Sequence, residues 1–232
     1  MYDGHECPFE AYITNLGKYN EGELVGEWVE FPATNEKLRQ VFERIGIDGK
    51  RYEEWFITDY DCHVAGLCDS LGEYESLDEL NYLANTIAEM GRHDFEEFKA
   101  AMICGQYTGS AKDLINLTQN LDCYDIYSGV DDHKDVGYYY VHDAGIYDLE
   151  SMGPLANYID YEAFGRDIAM DESGHFTEYG YVVSDRDTFT EHYDGKVENI
   201  PEEYMVTPKI QNQETIRNQI DRSKEIDEEF ER

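Results

Sequence analysis

The chain has 232 residues with 52 Asp and Glu against 18 Lys and Arg, a formal charge of −34 at pH 7. That balance argues against DNA, RNA or an anionic membrane as ligand, because each requires a surplus of Lys and Arg. Hydrophobic residues make up 41% and aromatics 14%, enough for a real core, which argues equally against wholesale disorder.

Residues 10–16 and 23–31 are short, β-branched or aromatic stretches separated by Gly17, Asn20 and Gly22, and they read as two strands joined by a loop. Thr34 or Asn35 can cap a helix whose apolar residues Leu38, Val41, Phe42 and Ile45 fall on one face, with Gly46 at its end. A third strand is expected over about 53–59, which completes a ββαβ unit. Ser76 and Glu79 have capping-box spacing ahead of Leu77, Leu80, Ala84 and Ile87. Asp94 is the expected cap of a second helix and Ser110 of a third, running through Leu114, Leu117 and Leu121. From Asp131 a helix is predicted through Val136, Tyr139, Tyr140 and Ala144 to Gly145, and another from Pro154 through Ile168. Residues 175–183 read as an edge or hairpin strand. The remainder is poor in apolar residues and reads as a separable extension, a loop with Pro201 and Pro208 followed by a helix from about 213 with Ile216, Ile220 and Phe230 as anchors.

The expected fold class is therefore α+β: a leader (1–10), an N-terminal α/β unit (11–64), a central acidic helical segment (65–130), a C-terminal acidic, Tyr-rich α/β segment (131–185) and the extension (186–232). Acidity peaks in 131–185, with 13 acids against 2 bases and eight of the twenty tyrosines. No apolar run approaches the roughly 20 residues that span a bilayer, and the N-terminus is acidic, so a soluble, cytoplasmic protein is expected. Five cysteines (Cys7, Cys62, Cys68, Cys104, Cys123) without a C-x-x-C pair suit scattered thiols in a reducing compartment better than a disulfide framework.

Few residues carry a signature of chemistry. Asp59, Asp61, Cys62 and His63 are all possible metal ligands, but no second His/Cys pair completes a zinc set. Asp131-Asp132-His133-Lys134-Asp135 lacks the Gly and Glu of a calcium loop and is better read as a carboxylate-rich helix N-terminus. No nucleophile elbow, P-loop or dinucleotide fingerprint is present, so neither an enzyme nor a cofactor is expected, and no metal site. The acidic surface is the informative feature. DNA carries about two charges per base pair, so the net charge equals that of about 17 base pairs. The plain alternative is a solvated acidic surface serving solubility.

Tyr12-Ile-Thr-Asn-Leu-Gly-Lys-Tyr-Asn-Glu-Gly-Glu-Leu-Val-Gly-Glu-Trp28, with Phe31-Pro32, resembles the opening of the ArdA antirestriction proteins. Phe56-Ile-Thr-Asp-Tyr60, Ser76-Leu-Asp-Glu-Leu-Asn81 and Asn157 through Ile168 are similar to blocks that recur in the same order in that family. The resemblance covers about 11–184; the leader, the connection at 62–75 and the tail from about 186 depart from it. It implies an elongated three-domain mimic of bent B-form DNA, homodimeric through its C-terminal domain. Such a protein occupies the DNA groove of a type I restriction-modification enzyme, contacting the methyltransferase core, and protects incoming mobile DNA. Phosphate surrogates would be Glu27, Glu30, Glu53, Asp78, Glu79, Glu96 and Glu97, with Asp131, Asp132, Asp135, Asp143, Asp148, Glu150, Asp160, Glu162 and Asp167 in the most acidic segment. Tyr158, Tyr161 and Phe164 would serve packing or the dimer contact. The other class of function compatible with these features is an acidic adaptor or chaperone-like binder of other basic DNA-associated proteins.

Overall fold

A computed structural model describes residues 6–184 and 188–208, and the protein mixes helix with two small antiparallel sheets. In the first sheet, β1 (Phe9–Asn15) lies between β2 (Gly26–Phe31) and β3 (Trp55–Cys62). Side chains alternate across a strand, so Phe9, Ala11 and Ile13 share one face with Val29 and Phe31, all fully buried. Helix α2 (Asn35–Ile45) covers that face with Leu38, Val41, Phe42 and Ile45, beginning at the Thr34 cap and ending at left-handed Gly46. The stretch expected as a loop contains a helical turn, α1 (Leu16–Asn20). Buried Asn15 explains it: its side-chain oxygen accepts the Lys18 N–H, while its amide donates to the Ile45 carbonyl at the end of α2.

Three helices follow: α3 (Leu77–Ala88), α4 (Arg92–Cys104) and α5 (Ala111–Thr118). Ser76 and Ser110 cap α3 and α5 by accepting from the N–H groups of Glu79 and Asp113. Asp94 is not a cap, because Gly91 takes the cap position and Asp94 falls within the first turn of α4, where a carboxylate still suits the helix dipole. The apolar core runs unbroken from the first sheet through these helices, with Leu80, Leu83, Ile87, Phe98 and Leu114 fully buried. A short strand absent from the sequence reading, β4 (Tyr124–Tyr127), pairs with β6 (Gly180–Ser184), which also pairs with β5 (His175–Thr177), so the second sheet joins residues on both sides of 130.

Between β4 and β5, α6 (His133–Tyr138) runs into a π-helical turn over Tyr139–Asp143. A short helix, α7 (Leu149–Met152), precedes Pro154, and the single helix expected after it is replaced by a 3-10 turn over Gly153–Tyr158 and by α8 (Tyr161–Asp171). Asp160 makes the break: its carboxylate accepts the Ala163 N–H and starts α8 afresh. Helices α6 and α8 cross at backbone contact, since a Cβ on Gly137 would collide with the Tyr161 carbonyl and one on Gly165 with the His133 carbonyl. A small cluster of Val130, Val136, Ala169 and Tyr181 completes this part.

Two further expectations are corrected. Cys62 and Cys68 form a disulfide across the loop that follows β3, where their Cα atoms are 5.8 Å apart. Residues 188–208, expected to be separable, form a strap over the helices, with Tyr193, Ile200 and Val206 buried in the main core. The strap's backbone is held by side chains: Asn116 accepts from the N–H groups of His192 and Tyr193 and donates to the Tyr193 carbonyl. Asn120 engages both backbone groups of Thr190, and Asn81 and Asn35 donate to the Tyr204 and Val206 carbonyls. The helix expected from about 213, with Ile216, Ile220 and Phe230, lies outside the described residues.

Candidate functional site

Five of the eleven acids of the N-terminal unit are in ion pairs. Glu27 forms a two-point ion pair with Arg44 of α2 at 2.6 and 2.8 Å, and that hydrogen bonding holds its carboxyl below the usual range. Glu30 meets Lys37 at 2.9 Å. Glu53 is exposed.

In the helical segment, Asp78 is not at the surface as required of a phosphate surrogate. It is buried, and its Oδ1 accepts the N–H groups of Val206 and Thr207 at 2.6 and 2.8 Å, anchoring the end of the strap. Glu79 is half-buried and accepts from the Tyr193 hydroxyl at 2.9 Å; burial pushes its carboxyl up, against the opposing effect of that hydrogen bond. Both are therefore structural ties. Glu96 and Glu97 are half-buried on α4, Glu97 lying 3.2 Å from His93.

The segment from Asp131 differs. Asp131, Asp132, Asp143, Asp148, Glu150, Asp160, Glu162 and Asp167 are all exposed, while Asp135 is half-buried. Three are helix caps: Asp132 accepts from the Asp135 N–H, Asp148 from the Ser151 N–H, and Asp160 from the Ala163 N–H. Asp135 in turn accepts the Asp131 N–H at 3.2 Å. The Ser151 hydroxyl and N–H lower the Asp148 carboxyl. A cap oxygen that accepts a backbone N–H fixes the carboxylate's direction without cancelling its charge. Among the described residues after Asp131, the ion pairs are Arg166–Asp167 at 3.6 Å and, in the strap, Lys112–Glu191 and Lys196–Asp194.

Tyr158 is 84% exposed. Tyr161 hydrogen-bonds His142 at 2.9 Å, and the Phe164 ring lies 5.7 Å from that of Tyr147. Phe164 also lines an apolar hollow of about 200 Å³ with Val141, Met152 and Ile159. In the same segment, Ile146, Leu155 and Met170 are each more than 60% exposed.

Sequence reasoning missed the open face of the first sheet as a unit. Register puts Glu10 directly between Glu30 and Asp61, and Tyr12 between Trp28 and Asp59. The period-two alternation of strands already carried this signal. Of the possible metal ligands at the end of β3, Cys62 is committed to its disulfide, and no group of three or more His, Cys, Asp or Glu is gathered for a metal among the described residues. No helix among the described residues is long and apolar enough to cross a membrane.

These features define an acidic protein of mixed helix and sheet that keeps most of its described carboxylates at or near the surface. The family model for antirestriction protein (ArdA) matches residues 11–183, and the chain belongs to that family. Antirestriction is the function this membership implies, in a family of inhibitory binders of restriction-modification enzymes not known as enzymes. No curated protein gives a significant match.

Proposed function

We propose that this protein blocks a type I restriction-modification enzyme by occupying the DNA-binding groove of its methyltransferase core as a mimic of B-form DNA. Incoming mobile DNA would thereby be protected. The observation that carries the reading is the run of exposed carboxylates from Asp131 to Asp167, in a segment with only two bases. Three of these are held in fixed directions by helix caps. Carboxylates so arranged meet the Lys and Arg that otherwise hold phosphates, and the inhibitor acts without chemistry. The surrogates are Glu53, Asp131, Asp132, Asp135, Asp143, Asp148, Glu150, Asp160, Glu162 and Asp167, with Glu27, Glu30, Glu96 and Glu97 contributing less because they are paired or half-buried.

The same segment supports a homodimer. Tyr158, Leu155 and Ile146 stand in solvent in the same segment as the apolar hollow lined by Phe164, and exposed apolar surface marks interaction sites.

The test is displacement of a labelled duplex from a purified type I methyltransferase core at about 50 and about 200 mM salt. Stoichiometric displacement that weakens at the higher salt is expected. Absence of displacement at both salts across several such enzymes would sink direct competition and favour other basic partners.

A further inference from the structure

The face of the first sheet that does not carry α2 is uncovered and aromatic. Trp28 is 41% exposed, Tyr19 50% and Tyr74 74%. With Tyr12 and Phe56 these rings line a groove of about 690 Å³, within the size range of ligand sites. The rings already touch edge-on or stacked: Tyr12 with Trp28 at 5.3 Å, Tyr19 with Phe56 at 5.1 Å, and Phe56 with Tyr74 at 6.2 Å.

Charge surrounds the rings. Asp59 and Glu73 line the groove, and the row Glu30, Glu10, Asp61 crosses the three strands beside it. Like charges directly opposite one another weaken a sheet, yet among the described residues only Glu30 of these five acids meets a cation, Lys37. An anionic nucleic acid is repelled here. A purely apolar partner would have to bury the carboxylates without a partner, which is costly.

We infer that this groove seats arginine side chains of a basic protein partner, the guanidinium plane lying on the rings and its N–H groups reaching the rim carboxylates. Guanidinium suits both halves of the surface: it is planar, weakly hydrated, stacks on aromatic faces and pairs with carboxylates at two points. Lysine offers a point charge and no stacking plane. The same unit contains a small version of the arrangement. Arg51 lies over the Tyr52 ring at 5.0 Å while its Nη2 meets Glu21 at 3.0 Å, and the Tyr52 hydroxyl donates to the same carboxylate. The inference rests on the proposed binding to a basic enzyme for the source of the arginines. It adds a stacking anchor to a surface otherwise described by charge alone.

The experiment is calorimetric titration of the full chain with oligoarginine and oligolysine peptides of equal length at about 150 mM salt. The native protein is expected to prefer oligoarginine by about fivefold. Trp28→Ala and Tyr74→Ala should each bring the ratio towards one without weakening oligolysine binding, because neither removes a charge. Tyr74 lies outside the strands and is largely exposed, so its loss spares the fold. Tyr138→Ala, at the exposed end of α6, should leave the ratio unchanged. Equal binding of the two peptides by the native chain, or a preference that survives both groove variants, would overturn the inference. Duplex displacement distinguishes the two readings. Failure to displace with the arginine preference intact removes the restriction-enzyme partner and keeps the groove, whereas displacement without the preference removes the groove alone.

Discussion

The part of the molecule built on β1–β3, α2–α5 and the strap encloses one continuous apolar cluster from Phe9 to Val206, whereas the part built on α6–α8 buries only Val130, Val136, Ala169 and Tyr181 in its own cluster. The first holds several of its acids in ion pairs, such as Glu27 with Arg44 and Glu36 with Arg39. The second leaves most of its acids in water. The contrast shows two ways of holding a fold under heavy negative charge. A large core tolerates repulsion through area buried, at roughly 1.5–3 kcal/mol for each large apolar side chain. A small core must bring its helices together by backbone contact at Gly137 and Gly165, with carboxylates placed at helix N-termini where the dipole favours them.

The comparison breaks most sharply at Gly165. Gly165→Ala would force a methyl into the His133 carbonyl, with an expected loss of about 3 kcal/mol, the upper end for overpacking. Hydrogen exchange should then rise across 130–184 while β1 and α2 stay protected. Equal loss across both regions would show that they unfold as one. Asn116→Ala is expected to cost roughly 2 kcal/mol, because it leaves strap backbone groups at His192 and Tyr193 without their partner. Its signature is faster exchange in 188–208 with the second sheet unaffected, read by mass spectrometry. An unchanged strap would mean that burial of Tyr193, Ile200 and Val206 holds it without the amide.

The smallest effect concerns pH. The folded protein holds the Glu79 proton more tightly than the ordinary value of 4.5, chiefly through burial. Its contribution to stability is therefore present below 4.5 and is lost as pH rises through the raised folded value. Glu79→Gln keeps an acceptor for Tyr193 and should melt slightly higher than the native chain at pH 7, with the gain vanishing near pH 4. A gain of equal size at both pH values would locate the effect outside this ionisation.

Elements with local signals were legible in the sequence. The helix α2 was fixed by Thr34, its apolar spacing and Gly46, and α3 and α5 by their serine caps. Elements that depend on distant partners were not. The strand β4 is four residues long and gains its meaning only from β6. The break at Asp160 turned on whether that carboxylate decorates a helix or starts one. Asp78 and Glu79 read as surface acids because their partners lie more than a hundred residues away, at Val206 and Tyr193. The exposure of the acids beyond Asp131 follows more directly from composition, since a segment so rich in carboxylate and poor in bases cannot bury its charges without partners.

The strap also sets an order of events during synthesis. Strand β1 and helix α2 leave the ribosome early, but Asn35, Asn81 and Asp78 find their partners only when residues 204–207 emerge. Contacts of such separation in sequence are slow to close. Until then the faces of α3 and α5 beneath the strap are bare. The core therefore closes only once residues 204–207 are available to it.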